Sequence, residues 1–302
     1  MVLNVRNLAA WLYGIFILSR GSIRKLKEKS QNGEIILSVY FHNPSKKLFE
    51  NSVKWFLKRG YTFLSVNELL IIKENKLPFP PMAVIFTVDD GWKNNKNNIF
   101  SVAEKYKIPV TTFISTQPVE TGELYWWTYV DIALKNKWEV PSVSAMKQLE
   151  NDQRLKIVNE LKLKIKSDRE ALFPEDLIGY QNSKFINFGA HTVTHPILSK
   201  CDRETSYFEI TASQKKLESW LKYSINSFAY PNGNYTEREI EILKQSNYNI
   251  AFTTVPEYIT PTNISSIYEI PRFDVLENVS FVENVCRMTG LWFENKKSTN
   301  VS

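Results

Sequence analysis

From residue 34 onward the chain alternates two hydrophobic patterns, and this alternation constrains the fold more than any other feature. Short apolar runs rich in β-branched and aromatic residues recur at 35–41 (IILSVYF), 83–88, 110–115, 185–188, 226–230 and 250–253, with a strand-like stretch at 267–273. Runs of this length and composition read as buried strands. Between them lie segments with helical spacing, at 48–58 (Val53, Phe56 and Leu57, stopped by Gly60), 66–73 (ended by the proline-rich 78–81), 95–106, 127–134, 236–246 and 279–288. The helix at 203–223 is expected to turn Phe208, Leu217 and Leu221 inward, and 144–170 reads as one long charged amphipathic helix inside an insertion over about 138–182. Strand-then-helix order, repeated, argues for a largely parallel sheet or barrel with helices outside. With no internal repeat, linker or composition break, 35–302 reads as one domain preceded by a helical segment over 1–34.

The 302 residues are 43% hydrophobic and 13% aromatic, which supports a large core and excludes a wholly disordered chain. Two distant cysteines, Cys201 and Cys286, exclude a disulfide framework and argue against a cysteine zinc site. The net charge is +6 and the basic residues are dispersed. That pattern does not specify nucleic acid, although a basic surface favours an anionic membrane or glycan.

The run at 8–18 (LAAWLYGIFIL) is too short to span a bilayer as a helix. Arg6 precedes it, while Arg20, Arg24, Lys25, Lys27 and Lys29 follow, the wrong flank for a cleaved signal peptide. Three readings stand: a helix packed on the domain, an interfacial helix making peripheral membrane contact through residues 8–29, or a cleaved signal or short anchor. The expected location is cytoplasmic or peripherally membrane-associated.

In folds of this class, functional groups collect at the C-terminal ends of strands. Three segments place unusual polar residues there. Asp89 and Asp90 follow the 83–88 strand. Adjacent carboxylates are costly to bury without a compensating cation, although Asp-Gly is also a common turn. His191 and His195 follow the 185–188 strand and hold two of the three histidines of the chain. Four-residue spacing places both imidazoles on one face of a helical turn, which suits a single metal. Two histidines and one carboxylate leave an open position for water, and the second carboxylate is free to act as general base. Such N and O donors accept Zn2+, Co2+, Mn2+ or Fe2+. The third segment, Tyr230-Pro231-Asn232-Gly233, forms a tight loop whose backbone N–H groups could face an oxyanion, or an ordinary turn.

These segments, in this order, resemble the polysaccharide deacetylase family (the NodB homology domain, carbohydrate esterase family 4). The likeness runs from about Ile35 to Leu291. The Val39-Tyr40-Phe41-His42 strand end, Leu124-Tyr125-Trp126-Trp127 and Glu269-Ile270-Pro271-Arg272 are similar to lesser family signatures. The resemblance implies a distorted (β/α) barrel, typically of fewer than eight strands. It implies a divalent metal, zinc above all, on Asp90, His191 and His195, with Asp89 as catalytic base and no organic cofactor. The implied reaction removes N-acetyl or O-acetyl groups from the sugars of a glycan, with an oxyanion facing the Asn232 backbone N–H. A separate reading, suggested by the N-terminal helix, is a different metal-dependent amidohydrolase acting on a small or lipid-linked sugar.

Two positions depart from the family pattern. Many members carry an arginine where this chain has Ala229, and Arg272 is the replacement expected to steady Asp89. Many also use a late histidine as general acid, yet none follows His195. His42 could take that part if its strand aims it into the mouth, and otherwise it is a structural histidine. Trp92, Trp126 and Trp127 could stack on sugar rings or belong to the core. These departures motivate an alternative function, a glycan-binding protein on a deacetylase scaffold. The sequence leaves oligomeric state open.

Overall fold

The computed structural model describes residues 5–19 and 21–297. Two N-terminal helices, α1 (Val5–Ser19) and α2 (Ser22–Gln31), lead into β1 (Leu37–Phe41). There follow α3 (Lys46–Leu57), β2 (Thr62–Phe63), α4 (Val66–Glu74) and β3 (Ala83–Val88). A π-helical turn at Lys96–Phe100 runs into α5 (Ser101–Tyr106), then β4 (Val110–Ile114), α6 (Thr116–Thr121) and α7 (Trp126–Lys135). Next come α8 (Val143–Met146), α9 (Asn151–Lys164), α10 (Pro174–Tyr180), β5 (Ile186–Ala190) and α11 (Arg203–Leu221). The chain continues through β6 (Ser227–Ala229), α12 (Glu237–Gln245), β7 (Ile250–Phe252), β8 (Phe273–Asp274), α13 (Phe281–Met288) and α14 (Leu291–Lys297).

The strands form one curled sheet in the order β7-β6-β5-β4-β3-β1-β8, with β2 beside β3, and every ladder is parallel. This is a (β/α) barrel of eight short strands, left open between β7 and β8. The segment after β7 partly bridges that gap, through a Phe252–Ile270 bridge and an Arg272 N–H bond to the Val255 carbonyl. Register aligns the strand exits. Phe41 pairs with Val88, Ile114 with Ala190, and Ala229 with Phe252. The residues just past β3, β5 and β6 therefore meet at one mouth.

The strands are apolar on both sides because both are covered, as parallel sheets require. On the helical side, Phe41, Phe49, Phe56, Phe63 and Phe86 pack edge to face, with centroids 4.9–6.2 Å apart. The other face, inside the curl, is filled by Ile36, Ile85, Phe113, Phe252 and Ile270. Helices α7–α9 add a separate cluster around Trp126, Met146, Val158 and Leu161.

Three sequence expectations need correction. The stretch 144–170 is not one helix: it breaks between Met146 and Asn151, and ends at an extended Ile165. Phe208 points to solvent at 58% exposure, while Leu217 and Leu221 are buried. Nine residues at 100° each place Phe208 half a turn away from Leu217, so the two cannot share a face. The region before Arg272 is largely irregular: Ile270 makes a single bridge to Phe252, and only Phe273 and Asp274 form a strand. Pro271 lacks the N–H a ladder needs.

Candidate active site

Asp89 and Asp90 leave β3 side by side, and both are buried. Asp90 adopts a left-handed backbone at φ 77°, followed by Gly91 at φ 90°. The chain thereby turns sharply enough to aim the two carboxylates differently. Asp89 faces Arg272, whose Nη1 and Nη2 donate to Oδ1 and Oδ2 at 2.8 Å each. That arginine is fully buried, donates also to the Thr253 carbonyl and to Thr87 Oγ1, and lies 4.5 Å from the Tyr40 ring centroid. Burial works to raise the Asp89 carboxyl, but the Arg272 guanidinium and the nearby His191 and His42 imidazoles together outweigh it and hold the group below the ordinary carboxylate range.

Asp90 faces the histidines. Its Oδ1 lies 3.5 Å from His191 Nε2 and 3.3 Å from His195 Nε2, and has no hydrogen-bond partner among the described residues. The other oxygen accepts from Trp92 Nε1 at 2.8 Å. His191 Nδ1 sits 2.7 Å from the Ala229 carbonyl, so that nitrogen carries the proton and Nε2 presents its lone pair to Asp90. Burial works to raise Asp90, yet its two imidazole contacts hold it well below the usual range. Burial pushes His195 down, toward the neutral form. Asp90, His191 and His195 offer ligand atoms that all lie within 4.8 Å of one another. Three donor atoms converging from separate loops, one of them a carboxylate oxygen with no hydrogen-bond partner among the described residues, fit a divalent cation, and the donor set suits zinc and its neighbours.

The histidines do not meet on a helical turn. Residues 191–197 are irregular, and Thr192 and His195 adopt left-handed backbones at φ 67° and 57°. The loop is pinned at several points. His191 N–H donates to the Ile114 carbonyl, Ser115 Oγ to the His191 carbonyl, and Gln117 N–H to the Val193 carbonyl. Trp126 Nε1 donates to the His195 carbonyl at 3.0 Å. Beneath the loop, buried Glu209 of α11 accepts from the Val193 and Thr194 N–H groups and from Thr194 Oγ1 at 2.6–2.9 Å. Burial still pushes that carboxyl above its ordinary range. Strained backbone of this kind persists only where surroundings over-determine it.

A cleft of about 300 Å³ opens over the cluster, lined by His42, Asp90, Trp92, Trp126, Trp127, Val143, Lys147, His195 and Asn232. His42 is exposed on its wall, in edge contact with Tyr40. Trp127 stacks on Tyr125 and meets the His195 ring edge-on at 4.6 Å. Asn232 turns left-handed at φ 57°, exposed at the rim. Tyr230 and Pro231 were expected beside it as substrate contacts, but their side chains are buried and neither lines the cleft. The Tyr230 ring packs on Phe228 and stacks on Tyr235. Its outward neighbour in the Pro-Asn-Gly turn takes the rim position instead.

Sequence reasoning missed two residues, Glu209 and Lys147, and one bond. Glu209 left a faint signal, an acid one step from Ile210 on the inner side of its helix. The bond from Trp92 to Asp90 left none. Lys147 comes from the insertion, and its Nζ donates to Asn232 Oδ1 at 2.6 Å, which makes a cationic wall for the cleft. Burial lowers its ammonium below the ordinary lysine range.

Residues 76–251 match the family model described as polysaccharide deacetylase. A poly-beta-1,6-N-acetyl-D-glucosamine N-deacetylase of Staphylococcus aureus is 24% identical over 270 residues, covering 86% of this chain and 79% of its own. IcaB from Ammonifex degensii superimposes with a TM-score of 0.60 at 18% identity, over 86% of this chain and 97% of that one. The Streptococcus pyogenes deacetylase PplD in complex with acetate gives 0.57 at 18% identity, over 84% and 98%. At this identity the two structures speak to the fold.

Proposed function

We propose, since the chain belongs to the polysaccharide deacetylase family, that it is a divalent-metal-dependent hydrolase acting on the N-acetyl groups of a β-1,6-linked N-acetylglucosamine polymer. Removal of acetyl groups from polysaccharide is the family's reaction. The polymer is drawn from the Staphylococcus aureus relative. The observation that carries the reading is the pairing of two adjacent buried carboxylates with different neighbours. One is forked by Arg272, and the other is turned to two imidazoles.

In this reading Asp90, His191 and His195 hold the ion, which when bound supplies Lewis acidity toward a carbonyl oxygen and toward water. Asp89 accepts the proton of the attacking water as its oxygen adds to the acetyl carbon. Arg272 does not touch substrate. It positions Asp89 and keeps it anionic. The backbone N–H of Asn232 faces the oxyanion. The C–N bond then breaks, the amine nitrogen takes a proton from His42 on the cleft wall, and acetate and a glucosamine unit leave. Trp127 offers a ring face to the sugar, and Lys147 binds its oxygens.

The test measures acetate release from the polymer, with zinc or cobalt supplied, alongside metal content. Asp89→Asn should lower turnover by about 10²–10⁴-fold with metal content unchanged. His42→Ala should slow amide cleavage and spare an aryl acetate, whose leaving group needs no proton. Equal, measurable rates for Asp89→Asn and wild type would remove Asp89 as the base, and no acetate from the metal-loaded wild type would favour the glycan-binding alternative. Equal loss on both substrates would remove His42 from the proton path.

A further inference from the structure

Helix α1 has two apolar faces. Asn7, Ala10, Gly14 and Ile17 are buried against the domain. Gly14 permits a close approach to α13, since a Cβ there would come within 2.9 Å of Val282 Cγ1. Arg6 completes the docking with a two-pronged pair to buried Glu283 at 2.9 Å. The second face carries Leu8, Trp11, Leu12 and Ile15, spaced i, i+3, i+4 and i+7, at 50%, 37%, 55% and 40% exposure. Val5 and Tyr13 flank it, also exposed. Apolar stripes this continuous mark interaction surfaces.

The neighbouring helix gives the chemistry of the occupant. After a left-handed turn at Gly21, α2 exposes Arg24, Lys25, Lys27 and Lys29 against one acid, Glu28. Arg20 lies outside the described residues. Hydrocarbon and aromatic rings beside a basic helix match the boundary between acyl chains and anionic headgroups. Among the described residues no helix is long and apolar enough to cross a membrane, so the stripe suits a helix lying in the surface plane.

We propose that α1 and α2 dock the folded domain onto an anionic lipid surface, with Leu8, Trp11, Leu12 and Ile15 at the acyl boundary and the α2 cations on the headgroups. The docking uses no residue of the strand-end mouth and stands apart from the deacetylase reading.

The test is co-sedimentation of the full chain with vesicles of phosphatidylcholine mixed with phosphatidylglycerol. Wild type should bind, and binding should weaken in pure phosphatidylcholine and in high salt. The triple variant Leu8→Ser/Leu12→Ser/Ile15→Ser should lose about tenfold or more in affinity. Lys25→Glu/Lys27→Glu should lose affinity for the anionic vesicles alone. Brominated lipid should quench wild-type fluorescence more than that of Trp11→Phe, a conservative variant that keeps the packing. Asp89→Asn should bind as wild type does. The proposal is overturned if the stripe variant binds as well as wild type, if Trp11→Phe leaves the quenching unchanged, or if the wild type ignores vesicles. In the last case, concentration-dependent self-association abolished by the triple variant would assign the stripe to a second copy of the chain.

Discussion

The mouth of the barrel and the outer face of α1 break the same rule in opposite directions. At the mouth two carboxylates and an arginine are buried, while on α1 leucine, isoleucine and tryptophan stand in water. Burying charge is costly unless it is paired, and exposing a continuous apolar stripe forgoes the main driving force of folding. The mouth meets the cost internally for Asp89, through Arg272, but leaves Asp90 Oδ1 without a hydrogen-bond partner. Among the described residues the α1 stripe is left partly exposed. Placement against polarity marks where this fold depends on something outside itself. The two proposals assign these regions opposite partners, a cation and a lipid surface.

The comparison breaks most visibly at Arg272. Arg272→Met should leave Asp89 buried and unpaired, costing about 3–5 kcal/mol in urea unfolding. Turnover should fall while metal content holds. Burial raises the Asp89 carboxyl, and Arg272 with the nearby imidazoles more than offsets it. The pair therefore stabilises the fold above the ordinary carboxyl value of about 4, and that contribution fades as pH falls through the depressed folded value. The acid-side loss should be missing in Arg272→Met. Unchanged stability would mean that the pair is not what makes the buried charge tolerable.

Lys147 gives a smaller effect. Its ammonium belongs to the rim, so Lys147→Met should raise KM for the polymer by about tenfold through the loss of a charge-assisted contact. Stability and metal content should stay put. A fall in kcat with KM unchanged would move Lys147 from binding to chemistry. The smallest effect belongs to α1. Leu12→Ser should alter the unfolding free energy of the protein in plain buffer by less than about 0.5 kcal/mol. A larger loss would show that the stripe packs against the domain after all.

The order of strands and helices was legible because a parallel sheet covered on both faces needs runs of apolar and β-branched residues without charge, and 83–88 (AVIFTV) and 110–114 (VTTFI) are such runs. The polar residues at the strand ends stood out for the same reason. Asp89, Asp90, His191 and His195 are conspicuous beside AVIFTV and INFGA. The means of assembling them was hidden. Four-residue spacing suggested a helical turn, whereas tertiary bonds from Ile114, Ser115, Trp126 and Glu209 hold the histidine loop in left-handed backbone. No local pattern encodes those partners. Phe208 misled because hydrophobicity was read without angle, and Tyr230, read beside Asn232, is buried beneath the turn while Asn232 lies on the cleft rim. Lys147 lies in a charged insertion where nothing separates it from solvated lysines until the chain folds back over the cleft.

The central claim is that Asp90, His191 and His195 form one cation site beside Asp89. Anomalous diffraction from crystals of the cobalt- or zinc-loaded protein tests it most directly. The account predicts a single strong peak about 2.0–2.2 Å from Asp90 Oδ1 and from both Nε2 atoms, with Asp89 still forked by Arg272. A loaded protein whose metal sits elsewhere, or whose three side chains stay empty in saturating metal, would contradict it.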